Sequence, residues 1–447
     1  MESTDDYPAR HGKVRGVIGA LPKPLAGADG MSAVAPQRRA PSKERGAPPA
    51  TDCVLVLNAG SSSLKFAVYS RRKRAPWELT SRGQIQGIGS SPHMSVRNAA
   101  GEKMSTPELT TEGRDRRSAL DFLVVWLRSQ LACARLVGVG HRVVHGGPAH
   151  SGPVIIDARV LAELHELEPL APLHQPYNVF AIEMVAQGLS QVPQVACFDT
   201  SFHRTMPEVA QLVPLPRELR DKGLKRYGFH GLSCEYIASV LPDLAPELSA
   251  KRVIIAHLGS GASLCALRAG RSIESTMSFT ALDGLCMGTR AGALDPGVVL
   301  YLFQVLHLTP EQVETILYKQ SGLLGISGIS NDMRNLERSA EPAARLAVDY
   351  FVYRIAKEIG ALAAALGGLD GLVFTAGIGE NSPSIRARIC EACAWLGVKL
   401  DSRANDANEA RISPPESAVS VLRIATDEEL MIARHTGRLL GLIQSTA

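Results

Sequence analysis

The sequence predicts an α/β protein made of two similar units, and three observations carry that prediction. A short apolar run at residues 53–57, a turn of small residues at 58–63 and a second apolar run at 64–69 read as strand, turn and strand. The same grammar returns about two hundred residues later, at 253–256, 257–263 and 264–267. Between and after these openings, helical patterns alternate with short apolar strands, which places helices over sheets. Two such openings in one chain imply a duplicated domain, each copy starting with a hairpin that offers a polar, backbone-rich turn.

The elements follow in order. The first fifty residues hold seven prolines and six glycines with no periodic apolar face, so residues 1–51 are expected to be a disordered extension. Glu2, Asp5 and Asp6 argue against an organelle transit peptide, and Met31 offers a second possible start. Helices are expected at 119–131, 343–366 and 384–396, the last with Ser382 as its cap and Pro383 in its first turn.

At 447 residues the chain suits roughly two to three packed units. No window approaches the roughly 18 unbroken apolar residues of a membrane span. The net charge is +4, and residues 1–50 alone hold eight basic and five acidic side chains, which leaves about +1 for the rest and no global signal for nucleic acid. Eight scattered cysteines, mostly in apolar runs, fit a reducing cytoplasm. Cys390 and Cys393 form the one close pair, and a helical setting makes packing its expected role rather than zinc or redox work.

Several turns suit anion chemistry. Asn58 opens a run of small residues whose amides can approach an anion, with Lys65 beyond it, although a plain polar hairpin would read the same way. Arg142 sits in Gly140-His-Arg-Val-Val-His-Gly-Gly147, where its planar fork suits a carboxylate or phosphate, or else a core acid. His141 and His145 would lie about 13 Å apart in an extended strand, too far for one metal ion. Asp199 falls at a strand end, where such folds collect catalytic groups, and His230 lies between glycines in Tyr227-Gly-Phe-His-Gly231. Arg290 repeats the logic of Arg142 in Met287-Gly-Thr-Arg290. Two arginines, a histidine and an aspartate suit phosphoryl transfer to an anionic acceptor, since such donors neutralise the spread charge of a loose transition state. Ser330-Asn-Asp-Met-Arg334 adds polar groups in the second half. Thr375-Ala-Gly-Ile-Gly-Glu-Asn381 follows an apolar strand and precedes a capped helix, so its amides face a crevice where a nucleotide could rest, or else it is a plain tight strand-to-helix turn. Thr426-Asp-Glu-Glu429 precedes a helix and either holds magnesium or favours the helix start.

Taken in this order, these turns, with Pro172-Leu-His174, Phe198-Asp-Thr200, His257-Leu-Gly-Ser-Gly261 and Asp332-Met-Arg334, closely resemble the acetokinase family of acetate kinases. The resemblance covers about residues 52–440 and implies a duplicated two-domain actin-like/sugar-kinase (ribonuclease H-like) fold with a central nucleotide cleft. An N-terminal domain at 52–200, completed by the helix 430–447, would face a nucleotide-binding domain at 201–429. The implied reaction is reversible phosphoryl transfer between ATP and acetate with magnesium or manganese, in a cytoplasmic homodimer that binds neither nucleic acid nor membrane.

By motif, Asn58 and Glu428 would hold the metal, and Lys65 would meet the ATP phosphates. Asp199 would be the catalytic acidic residue, His230 and Arg290 would stabilise the transition state, and His174 would be an additional site histidine. Arg142 would bind the acid, whose methyl group would rest among Val144, Leu173, Phe229 and the position of Ala281. The nucleotide would meet His257, Leu258, Gly259, Ser260 and Gly261, then Asp332, Met333 and Arg334, then Gly377, Ile378, Gly379, Glu380 and Asn381.

The chain departs from the family pattern at Ser260, commonly Asn, and at Ala291 and Ala293, commonly Ser and Asp. Gln175-Pro-Tyr177 stands where the family has Asn-Pro-Pro, and Ala281 where it commonly has Pro. The last change is expected to widen the acid pocket toward propionate, unless the backbone shifts to close the gap. A propionate or butyrate kinase, and an actin-like ATPase switch, stand as the alternative readings.

Overall fold

The structure is a computed structural model that describes residues 51–72, 75–106, 115–130 and 134–442. The expected extension at 1–51 therefore lies outside the described residues except for Thr51, which opens the first strand, and Cys133 and Leu131 are likewise outside them.

Two sheets carry the fold. The first comprises β1 (Thr51–Ala59), β2 (Ser63–Arg71), β3 (Glu78–Gln86), β4 (His93–Asn98), β5 (Ala134–Val143), β6 (Val154–Ile155) and β7 (Gln194–Phe198), in the order β4-β3-β2-β1-β5-β7-β6. The second comprises β8 (Arg252–Leu258), β9 (Ala262–Arg268), β10 (Arg271–Ser275), β11 (Gly371–Thr375) and β12 (Ser420–Arg423), in the order β10-β9-β8-β11-β12. In each, three antiparallel strands lead into two parallel ones, so β1, β2, β3, β5 and β7 correspond to β8, β9, β10, β11 and β12. The duplication legible in the two hairpin openings is thus a repeat of topology.

Burial on both faces explains the composition of the central strands. Residues 53–57 and 253–258 are buried throughout, because helices cover each side of a partly parallel sheet. On one face of the first sheet lie the helices Arg116–Gln130 and Gln175–Gly188, packed through Leu123, Trp126, Ala181 and Val185. On the other lies the helix Glu428–Leu439, through Met431, Ile432 and Ala433. That contact is close because β5 offers no side chain there: a β-carbon on Gly140 would collide with Thr436 and Ile432, and one on Gly138 with Leu440. The 25-residue helix Pro342–Leu366 fills the core of the second sheet, and Gly367 ends it in the left-handed conformation.

The three expected helices form, as Arg116–Gln130, Pro342–Leu366 and Pro383–Ala392, the last followed by a 3-10 turn, Ala394–Leu396. Ser382 caps Pro383–Ala392 by accepting the Ile385 N–H at 3.2 Å. Cys390 and Cys393 are buried and unbridged within this packing. One expectation is corrected. The segment 377–381 is not a turn before a helix but a short helix itself, Ala376–Asn381, entered through Ala376 at φ 64°. The Glu380 carboxylate stabilises that entry by accepting the N–H of Ala376 at 2.8 Å and of Thr426 at 3.1 Å. None of the helices among the described residues is long and apolar enough to cross a membrane.

Candidate active site

The carboxyl ends of three neighbouring strands build the first half of the site. Leu57 of β1 pairs with His141 of β5, and Arg142 with Cys197 of β7, so Asn58, Arg142 and Asp199 emerge side by side. Arg142 grips Asp199 with two bonds, Nε to Oδ1 at 3.1 Å and Nη2 to Oδ2 at 2.5 Å, and its Nη1 donates to Asn58 Oδ1 at 3.2 Å. The reading of Arg142 as partner of a core acid therefore holds, and that acid is Asp199, itself an expected site residue. Burial works against its charge, but the Asp199 and Glu428 carboxylates outweigh it and hold the guanidinium above its ordinary range.

Glu428 is the first residue of the helix Glu428–Leu439. Asp427 caps that helix at the Leu430 N–H (2.9 Å) and accepts the Tyr69 hydroxyl (2.9 Å), which fixes where the helix begins. Burial, with Asp199 and Glu429 adding to it against the pull of Arg142, pushes the Glu428 carboxyl up to about 7.

The second half hangs on glycines. The Gly231 N–H donates to Asp199 O at 2.8 Å, an approach that a β-carbon there would block. At Gly228, with φ +76°, a β-carbon would lie 2.7 Å from the His203 ring. His230, between them, takes a left-handed conformation at φ 56° and begins the helix Gly231–Leu244. Its ring stacks on that of His257 at 4.1 Å, and its Nδ1 lies 2.9 Å from Ser263 Oγ. His257 has a matching partner in Ser233 Oγ at 2.8 Å. When the Ser263 hydroxyl donates to Nδ1, the proton on His230 Nε2 faces the site.

Arg290 arrives from the other side, with Nη1 donating to Ala281 O at 2.6 Å. A β-carbon on Gly261 would lie 2.7 Å from Arg290 Nη2 and 3.1 Å from His230 Nε2, so the two donor tips meet over that glycine. Burial, then the neighbouring His257, Arg290 and Arg142, hold His230 well below its ordinary range, which keeps it neutral. Burial with Arg142 pushes His257 down to about 3, and burial with Arg142 and Arg290 pushes His174 down to about 4. The two guanidinium ions and the imidazoles thus share one electrostatic field.

His174 also lines a small apolar cavity of about 10 Å³ with Val144, Leu173, Phe229 and Ala281, joined by Thr280 and Tyr318. That is room for about one water-sized group. The loss of ring atoms at Ala281 leaves no wide pocket.

A larger cavity, about 470 Å³, gathers the three nucleotide segments: Gly259 and Ser260, then Asp332, Met333 and Arg334, then Gly377, Ile378 and Asn381. Such a volume lies in the range of small-molecule sites. Asn331, Glu337 and Ser382 also line it.

Other expected residues lie elsewhere. The Leu258 side chain is fully buried in the core of the second sheet, Gly379 packs on Phe374 and Ala256, and the Glu380 carboxylate turns inward. Lys65 pairs with Asn58 in the β1–β2 hairpin but borders a separate groove with Arg82, Arg97 and Glu429. His141 and His145 are buried apart, His141 Nε2 at 2.7 Å from Gln194 Oε1 and His145 Nδ1 accepting the Gly147 N–H at 2.8 Å.

Sequence patterns did not point to Asn178. Its amide accepts the Val144 N–H at 3.0 Å and donates to Ala59 O at 2.8 Å, which ties the apolar cavity to the Asn58 turn. Gln175 likewise holds the backbone of His145 from both sides, its Oε1 accepting at 3.2 Å and its Nε2 donating at 3.2 Å. Among the described residues no group of three or more His, Cys, Asp or Glu side chains could hold a metal unaided. The oxygens of Asn58 and Glu428 do suit a hard cation that takes its remaining ligands from phosphates and water.

A duplicated sheet topology with paired arginines and an imidazole between the halves defines a phosphotransferase of the actin-like/sugar-kinase fold. Comparison with known proteins agrees. Acetate kinase from Rhodopseudomonas palustris is 53% identical over 393 residues, covering 87% of this chain and 98% of its own length. The crystal structure of Porphyromonas gingivalis acetate kinase superposes with a TM-score of 0.78 at 36% identity, covering 87% of this chain and all of that one. A propionate kinase from Francisella tularensis superposes with a TM-score of 0.80, also at 36% identity and with the same coverage. The Acetokinase family model matches residues 53–434, and the chain belongs to that family.

Proposed function

We propose that the chain transfers the γ-phosphoryl group of ATP to the carboxylate of acetate, reversibly, giving ADP and acetyl phosphate. The observation that carries this reading is the meeting of Arg290 Nη2 and His230 Nε2 over Gly261, next to a cavity sized for a single methyl group. A carboxylate is already a competent nucleophile at neutral pH, so alignment and charge neutralisation are the main tasks. The acid's methyl group enters among Val144, Leu173, Phe229 and Ala281, and its carboxylate faces Arg142. A neutral His230 donates through Nε2 to a phosphoryl oxygen while Arg290 neutralises charge on the same group, and His174 lies at the entrance as a further donor. Asp199 holds Arg142 in place through its Nε and Nη2.

Adenosine and its phosphates occupy the larger cavity, along the backbone of Gly259, Ser260 and Gly377 with the side chains of Asp332 and Asn381. Magnesium, or manganese, would sit at Asn58 and Glu428 and shield phosphate charge when bound. Loss of a proton from Glu428 prepares that site. Lys65, in the neighbouring groove but near enough to Glu428 to act on its charge, would meet the ATP phosphates from that side.

We assign residues 52–200 with the terminal helix to one domain and 201–429 to the other, closing on the substrates to exclude water. A cytoplasmic homodimer is the proposed state. The apolar helix Pro296–Gln304 has no buried residue, and Leu300, Tyr301, Val305 and Leu306 are each about half exposed, a surface that a second copy would cover.

Likeness to a propionate kinase supports a second reading, and the cavity of about 10 Å³ favours acetate over it. Trapping of acyl phosphate as hydroxamate, with ATP, magnesium and either acid, tests the proposal. Acetate-dependent product supports it, propionate preference favours the second reading, and acid-independent ATP hydrolysis would replace both with a nucleotide switch.

A further inference from the structure

The small cavity beside Arg290 is closed by a residue that none of the site motifs contains. Ala281 contributes little more than a methyl group to it, and its carbonyl is taken by Arg290 Nη1. The largest side chain on the lining is Tyr318. Tyr318 lies in a π-helical turn, Ile316–Gln320, between the helices Pro310–Thr315 and Gly322–Ser327. Single π-helical turns inside helical segments are uncommon and frequently mark functional sites.

That turn is fastened to both flanks of Arg290. Thr289 Oγ1 donates to Tyr318 O at 2.8 Å, and the Ala291 N–H donates to Leu317 O at 3.0 Å. The Ser321 N–H returns to Thr289 O at 3.1 Å, and Ser321 Oγ donates to Ile316 O at 2.7 Å. Gly322, at φ +65°, lies so close to Met287 O that a β-carbon could not fit, which fixes the register of the turn against the arginine loop. The Tyr318 phenol is also near enough to Arg290 to act on its charge.

We propose that Tyr318 is a specificity-determining residue that closes the acid pocket at two carbons, held in place by the same turn that anchors the Arg290 loop. This inference rests on the acid-kinase reading above and names the residue that sets acceptor length. The backbone bonds to the arginine loop survive any side-chain change at position 318. Size selection is therefore separable from the placement of Arg290.

The test compares kcat/KM for acetate, propionate and butyrate, by hydroxamate formation, in the full chain and in Tyr318→Ala, Tyr318→Leu and Tyr318→Phe. An added methylene in such a pocket changes selectivity by about 10- to 200-fold. Tyr318→Ala is expected to raise the propionate-to-acetate ratio by about tenfold or more, mainly through a lower KM for propionate. Tyr318→Leu gives a smaller rise, and it decides the question should the alanine variant fail to fold. Tyr318→Phe keeps the ratio within about twofold, since size and not the hydroxyl is at issue. An unchanged ratio in the alanine and leucine variants would overturn the proposal. So would an equal loss on every acid, or a shift in the phenylalanine variant as large as in alanine. A wild-type chain that makes acyl phosphate from no acid would instead overturn the proposed function.

Discussion

Replacing Arg142 by alanine tests the site and the fold at once. In the folded chain Asp199 is 2% exposed and its carboxylate is held by two bonds from Arg142. Removing the guanidinium leaves a buried carboxylate without its partner, and breaking one side of a buried pair costs roughly 3–5 kcal/mol. Asn58 loses a donor in the same step. Arg142→Ala should therefore unfold at markedly lower urea than wild type, besides losing turnover. Arg142→Ala with Asp199→Asn removes both charges, so it should recover a large part of that stability while remaining inactive. Urea denaturation followed by circular dichroism gives the order of stability, and hydroxamate formation gives the rates. A single variant as stable as wild type would refute the ion-pair argument, and a double variant with near-wild-type turnover would refute the role of Arg142 at the site.

Three further outcomes are expected. Gly261→Ala should keep the fold, because the new methyl meets only side-chain ends, 2.7 Å from Arg290 Nη2 and 3.1 Å from His230 Nε2; pushing both donors aside should lower kcat about 100-fold, and an unaltered kcat would show that the donors do not act there. Ser263→Ala frees the His230 ring from its 2.9 Å partner and should lower kcat about tenfold with little change in acetate KM, as one lost hydrogen bond of about 1.4 kcal/mol requires; equal changes in both constants would count against a tautomer role.

Stability should also fall with acidity. His141, His145, His174, His257 and His230 all have folded-state pKa values below their ordinary 6.5, the first three near 4 and His257 near 3. The unfolded chain therefore binds protons that the folded chain refuses, so the stability present above pH 6.5 is lost as pH falls toward about 4. Each histidine contributes about 1.4 kcal/mol per pH unit within that window. Glu428, raised to about 7, opposes this, as do His165, His203 and Glu274, whose values are also raised. A Tm at pH 5 equal to that at pH 7 would contradict the sum.

The elements of the site were legible where the chemistry sits on one short stretch of chain. Hairpin turns, strand ends and glycine-flanked side chains announced Asn58, Arg142, Asp199, His230 and Arg290, because close approach of backbones demands small residues at fixed spacing. Asn178, Gln175 and Ser263 were not legible, since each acts by bonding atoms far along the chain and an isolated Asn, Gln or Ser carries no such mark. Glu380 misled for a related reason. In a run with two glycines, helix propensity is poor, and the carboxylate turned back onto Ala376 and Thr426 supports the helix entry. Tyr318 was invisible because periodicity cannot foresee a π-helical turn, nor which distant loop that turn will hold.

A crystal structure of the chain with ADP, magnesium, acetate and a planar mimic of the transferred phosphoryl group tests the central claim most directly. The account predicts the mimic in hydrogen-bond reach of Arg290 Nη2 and His230 Nε2, with the acetate carboxylate in line between it and Arg142. A mimic bound away from Gly261, or contacted by neither of those two side chains, would contradict it.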